Sequence, residues 1–85
     1  MKDPKQIADT LRSFILENYL FTDDQSALRN SDSFLENKIL DSMGILELTH
    51  YLSQEFGIAV EDQEMVPENL DSVDNLVAFI QRKTR

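Results

Sequence analysis

Three apolar stripes at helical spacing constrain this chain more than any other feature. Ile7, Leu11, Phe14 and Ile15 recur at i, i+4, i+7 and i+8, the period of an amphipathic helix. Ile45, Leu48, Leu52 and Phe56 fall within one arc at about 100° per residue, with Tyr51 flanking it. Val73, Leu76, Val77 and Ile80 form the third stripe. No run carries a β-strand signal of weight, so the fold class is all-α: a bundle of three main helices with one extra turn. At 85 residues the chain is one domain, residues 1–85, with a modest core and little stability to spare.

Punctuation residues predict where the helices begin and end. Asp3, Pro4 and Gln6 read as N-cap, first helical residue and capping-box partner of a helix over about residues 4–19. The second helix is expected from Ser42 to Phe56, with Gly57 at the left-handed C-cap. Pro67 and Asn69 break the text that follows, leaving room for a single turn around Pro67 to Leu70. Ser72 then caps the last helix, and Arg82, Lys83 and Arg85 suit its C-terminal dipole. Between Phe21 and Asp41 lies a long polar connection, "TDDQSALRNSDS" at its centre, of a length that is usually functional or partly ordered. Phe34, Leu35, Ile39 and Leu40 are expected to fold from it onto the core.

Several function classes fall away on composition. With no cysteine in the chain there are no disulfides, thiolate metal sites or cysteine nucleophile, and the cytoplasm is the default compartment. Sixteen acidic residues against eight basic give a net charge of −8, which disfavours nucleic-acid phosphates and anionic lipid surfaces and favours partners with basic patches. The opening "MKDPKQIADTLRSF" lacks the apolar region of a signal peptide, and no apolar run is long enough to span a bilayer. Neither nucleic-acid binding nor membrane insertion is expected.

The stretch "NKILDSMGILEL", residues 37–48, sets Ser42 at the head of the second helix. A serine there reads first as an N-cap. The helix also has a second apolar arc: Met43 and Leu46 lie off the core stripe, together with Glu47, His50 and Gln54 and adjoining Ser42. Such residues are either ordinary exposed apolar side chains or a small docking surface with an apolar centre and a charged rim. A Ser42–His50 dyad is excluded by distance, because eight residues of helix separate them by roughly 12 Å. No phosphate loop, metal-ligand spacing or EF-hand pattern is present; no residue is assigned a catalytic role and no metal is implied.

The segments "LENKILDSMGILEL", "YLSQEFGI" and "VPENLDSVDNLVAFI" resemble the acyl carrier protein family, which includes peptidyl and aminoacyl carriers. The resemblance covers roughly residues 34–80, and its most specific element is Asp41-Ser42-Met43 ahead of Glu47-Leu48 and Glu55-Phe56-Gly57. It implies a four-helix bundle with a short third helix. It further implies that a phosphopantetheinyl transferase attaches 4′-phosphopantetheine from coenzyme A to the Ser42 hydroxyl. Partners implied with it are acyl- or aminoacyl-loading and processing enzymes whose basic patches dock on Asp41, Met43, Leu46, Glu47 and His50. A phosphodiester at a helix N-terminus would meet unpaired N–H groups and the positive end of the dipole. On this reading the protein is a free-standing monomeric carrier, not an enzyme.

The sequence departs from the family's pattern at several places. Gly44 stands where primary fatty-acid carriers often have Asp, Lys38 where Gly is frequent, and His50, Ser53 and Gln54 replace part of a more acidic, aliphatic helix. These departures favour a carrier dedicated to a specialised or secondary biosynthetic pathway over the primary fatty-acid synthesis carrier. The reading from another class is an unmodified acidic helical adaptor, in which Ser42 only caps a helix and Met43 and Leu46 bind a partner helix.

Overall fold

The computed structural model of the protein describes residues 3–84; Arg85, assigned above to the last helical turn, lies outside them. The helices are α1 (Pro4–Ile15), α2 (Ser42–Phe56), α3 (Pro67–Leu70) and α4 (Val73–Lys83), and no strand forms among the described residues. The expected bundle of three main helices and one short one is observed.

Asp3 caps α1 by accepting the Lys5 N–H at 3.1 Å, with Pro4 next to it where its missing donor does no harm. The α-helical bonding stops at Ile15 rather than 19. Residues Leu16–Leu20 continue as a wider π-turn, which closes when Phe21 enters the left-handed region at φ 53°. The N–H groups of Phe21 and Thr22 both return to the Leu16 carbonyl. Widening the last turn lets Ile15 and Leu16, adjacent in sequence, both be buried.

The core draws on every helix: Ile7, Leu11 and Ile15 from α1, Leu48 and Leu52 from α2, Leu70 from α3, and Val73, Leu76, Phe79 and Ile80 from α4. The stripes predicted for α1 and α4 are therefore the buried faces, with Phe14 and Val77 half-buried at their edges. On α2 the predicted arc narrows, since Leu48 and Leu52 are fully buried while Ile45 and Phe56 are half-buried. Leu28, Ile58 and Phe79 join the core although the sequence reading did not place them there.

The long connection is tied to α1 and α4 through Gln25 and Asn30, and its end leading to α2 is held by Asp71. Phe34 is buried and its N–H donates to the Asp71 carbonyl at 2.8 Å, while the Asp71 carboxylate accepts the Leu35 N–H at 3.0 Å and the Ser33 hydroxyl. Ile39 and Leu40 then donate back to the Phe34 carbonyl at 2.8 and 3.3 Å. Lys38 must adopt φ 57° to close this loop, a left-handed conformation that suits glycine. That is the physical reason glycine would be the easier residue there. Phe34 and Leu40 reach the core as expected and Ile39 is half-buried. Leu35 does not: pinned through its backbone to Asp71, it remains 44% exposed.

At the far end, Lys83 pairs with Glu64 at 3.0 Å and Arg82 donates to Asn69 Oδ1 at 2.8 Å. The basic end of α4 thus ties down the segment entering α3, in addition to meeting the helix dipole. Gly57, at φ 66°, ends α2 with its N–H on the Ser53 carbonyl at 3.1 Å.

Candidate functional site

The N-terminus of α2 is set by Asp41. Its carboxylate accepts the Gly44 N–H at 2.8 Å, and its own carbonyl accepts the Ile45 N–H at 2.9 Å. Asp41 is therefore the N-cap and Ser42 the first helical residue, which corrects the expectation that Ser42 caps the helix. An aspartate and a serine are comparably good caps, so the two cannot be ranked from sequence; the position of Leu40, folded into the core one residue earlier, decides which of them sits at the boundary.

The Ser42 side chain is exposed, and its hydroxyl has no hydrogen-bond partner among the described residues. Ser72 provides the contrast. It also follows an aspartate and opens a helix, but it is buried and its hydroxyl accepts the Asn75 N–H at 3.1 Å as the cap of α4. Of the two Asp-Ser helix starts, only the one at Asp41-Ser42 leaves its hydroxyl exposed.

Beside Ser42 the fold opens a mostly apolar cavity of about 220 Å³ between α2, the pinned loop and α3. Leu35, Ile45, Met65, Val66 and Leu70 contribute to its wall. Sequence reasoning found none of these as site residues, because they come from three separate segments and share no period. The apolar cluster in "MVP" was the only local hint.

Met43 and Leu46 lie off the core, on the outer face of α2 that the helical period predicts. Met43 is 66% and Leu46 44% exposed, and Asp41, Glu47, His50 and Gln54 are exposed around them. Gly44 lies on the inner side, where a Cβ would come within 3.2 Å of Leu40 Cδ2. The face continues onto α1 through an aromatic contact: Phe14 stacks on Tyr51 with centroids 3.9 Å apart and planes at 15°. Tyr19 meets the edge of Phe14 at 5.8 Å. Burial, followed by the charges of Glu47 and Asp41, raises the Tyr19 hydroxyl above its ordinary pKa, so the π-turn after α1 lies within the field of carboxylates on α2 and at its cap.

Comparison with known proteins decides what this arrangement belongs to. The family described as "Phosphopantetheine attachment site" matches residues 22–80 of the chain. The chain belongs to the acyl carrier protein family. The acyl carrier protein of Buchnera aphidicola subsp. Acyrthosiphon pisum (strain Tuc7) is 30% identical over 79 residues, 93% of this chain and 94% of that one. The probable acyl carrier protein PigG of Serratia sp. (strain ATCC 39006) is 32% identical over 59 residues, 69% of this chain and 68% of that one. Acyl carrier proteins hold acyl groups on covalently attached 4′-phosphopantetheine, and the chain's site suits that group: an accessible hydroxyl at a helix N-terminus, next to an apolar recess. No helix among the described residues is long and apolar enough to cross a membrane.

Proposed function

We propose that Ser42 is the attachment point of 4′-phosphopantetheine and that the protein is a monomeric cytoplasmic carrier for a specialised or secondary biosynthetic pathway. The observation that carries this reading is the division of labour between neighbours. Asp41 takes the cap, so the Ser42 oxygen is left accessible and its modification removes no bond that holds α2. At the same helix start the Ser42 and Met43 N–H groups have no acceptor among the described residues, and they can meet a phosphodiester with the helix dipole behind them. Once attached, the group supplies a flexible arm ending in a thiol, which a cysteine-free chain otherwise lacks.

Docking is assigned to Asp41, Met43, Leu46, Glu47 and His50. Met43 and Leu46 form the apolar centre, and Asp41 and Glu47 the acidic rim for enzymes that load or process the cargo from basic surfaces. Partner enzymes perform the chemistry; this chain's residues position the arm. The cavity is small beside the 300–1,000 Å³ usual for ligand pockets, so it suits a short apolar group. Lys38, Gly44, His50, Ser53 and Gln54 support a specialised role over primary fatty-acid synthesis.

The test is intact mass measurement after incubation with a broad-specificity phosphopantetheinyl transferase and coenzyme A, followed by peptide mapping. One phosphopantetheinyl group on the peptide bearing Ser42 is expected. An unmodified mass would leave the protein an acidic adaptor, and label on Ser72 would move the site.

A further inference from the structure

Phe21 is 81% exposed, more than Met43 or Leu46, and the α2 surface does not account for it. A single exposed apolar residue needs no explanation by itself. Phe21, however, also holds φ 53° at the close of the α1 turn, where a Cβ crowds the following carbonyl and glycine is the easy choice. The sequence thus keeps a large bare ring at a position that disfavours any side chain. Strain of this kind points to a use outside the folded chain.

The surroundings are of one sign. Residues 13–28 contain Glu17, Asp23 and Asp24 and no lysine, arginine or histidine. Phe21 shares a shallow groove with Glu17, Thr22 and Asp23. Asp24 turns its carboxylate onto the Ser26 N–H and hydroxyl, whereas Glu17 and Asp23 form no ion pair among the described residues. The two nearest cations in sequence are both engaged elsewhere: Arg29 pairs with Asp32 at 3.6 Å, and Arg12 is held by Gln25 and Asn30 at 2.7–3.2 Å.

Ring contacts join the turn that bears Phe21 to α2: Tyr19 meets the edge of Phe14, which stacks on Tyr51. Tyr51, stacked on Phe14, has its hydroxyl raised by burial and then by Glu55 and Glu17. Tyr19 feels burial and then Glu47 and Asp41. Asp41 at the head of α2, Glu47 and Glu55 on it, and Glu17 in the π-turn therefore all act on the Tyr19–Phe14–Tyr51 cluster, whose Tyr19 lies two residues before Phe21.

We propose that Phe21 is a second anchor for the phosphopantetheinyl transferase, its ring entering an apolar pocket with a cationic rim while α2 presents Ser42. The inference rests on the Ser42 reading above. Chemistry selects this partner: the transferase must hold coenzyme A, a polyanion, where Ser42 enters, so its mouth is cationic and complements Asp41 beside Ser42 and Glu17 and Asp23 beside Phe21. Aromatic side chains inside a charged rim are the usual anchors of such interfaces.

The full chain, Phe21→Gly and Phe21→Tyr are compared as substrates of a broad-specificity transferase with coenzyme A, with thermal melts alongside. Phe21→Gly is expected to melt no lower than the wild type, because it relieves the left-handed strain. Its KM should rise about fivefold or more with kcat within about twofold, and Phe21→Tyr should restore the KM. An unchanged KM for Phe21→Gly overturns the anchor and leaves the Ser42 assignment standing. A higher KM together with earlier melting makes Phe21 structural and also overturns it. Absence of label on wild-type Ser42 overturns both readings.

Discussion

Asp41 holds the cap of α2 in place of Ser42: the aspartate carboxylate accepts the Gly44 N–H at 2.8 Å, and the serine one residue on keeps an exposed hydroxyl. Removing each should therefore have opposite effects. Ser42→Ala is expected to change stability by less than about 0.5 kcal/mol and to abolish pantetheine transfer. Asp41→Ala is expected to destabilise by about 0.5–2 kcal/mol through the lost cap. Denaturant unfolding of both variants checks this; a clearly destabilised Ser42→Ala would return the cap to the serine.

Leu46 and Leu52 are the same residue type on different faces of α2, one 44% exposed and the other fully buried. Leu52→Ala should cost about 2–5 kcal/mol of folding free energy. Leu46→Ala should cost less than about 1 kcal/mol and weaken partner binding instead. Melts and partner titrations of the two variants separate the roles, and equal melting losses would contradict the surface assignment.

Glu47 sits exposed on the outer face of α2, beside Met43 and Leu46. Glu47→Lys is expected to slow loading by a basic partner and to flatten the salt dependence of the rate, with helical content unchanged. Loading rates across a salt series measure both effects. The same rate and slope as wild type would send partners to another side.

Glu64 links acid stability to the end of α4. Its pKa is lowered first by the Glu61 N–H, then by Lys83. A depressed folded-state pKa means the contribution is fully present above the ordinary value of 4.5 and is lost as pH falls through the lowered value. Glu64→Gln should therefore match the wild type at the bottom of an acid titration and fall below it near neutrality. Parallel curves at every pH would dismiss the linkage.

Lys38 carries φ 57° in the loop that leads to Ser42. Lys38→Gly should stabilise by about 0.5–1 kcal/mol, relief of the left-handed conformation outweighing the added freedom of the unfolded chain. Thermal unfolding reads the sign directly, and a lower midpoint would mean that the lysine side chain holds the loop.

The helical text of this protein was legible because each helix carries a local code. The stripes of Ile7, Leu11 and Ile15 and of Val73, Leu76 and Ile80 repeat with the helix, and Asp3, Gly57 and Ser72 act on groups within a turn of themselves. Asp41-Ser42-Met43 and the second apolar arc of α2 were legible for the same reason. The wall of the cavity beside Ser42 was not: Leu35, Ile45, Met65 and Leu70 meet only after Asp71 has fixed the loop to the start of α4. Nor was the burial of Leu28, a lone apolar residue in a polar run. The choice of Asp41 over Ser42 as cap also belonged to tertiary structure, because two equally good capping residues stood side by side and the packing of Leu40 fixed the register. Periodicity reports which face of an element is apolar; which segments close over that face, and which hydroxyl they leave in water, depends on contacts between residues far apart in sequence.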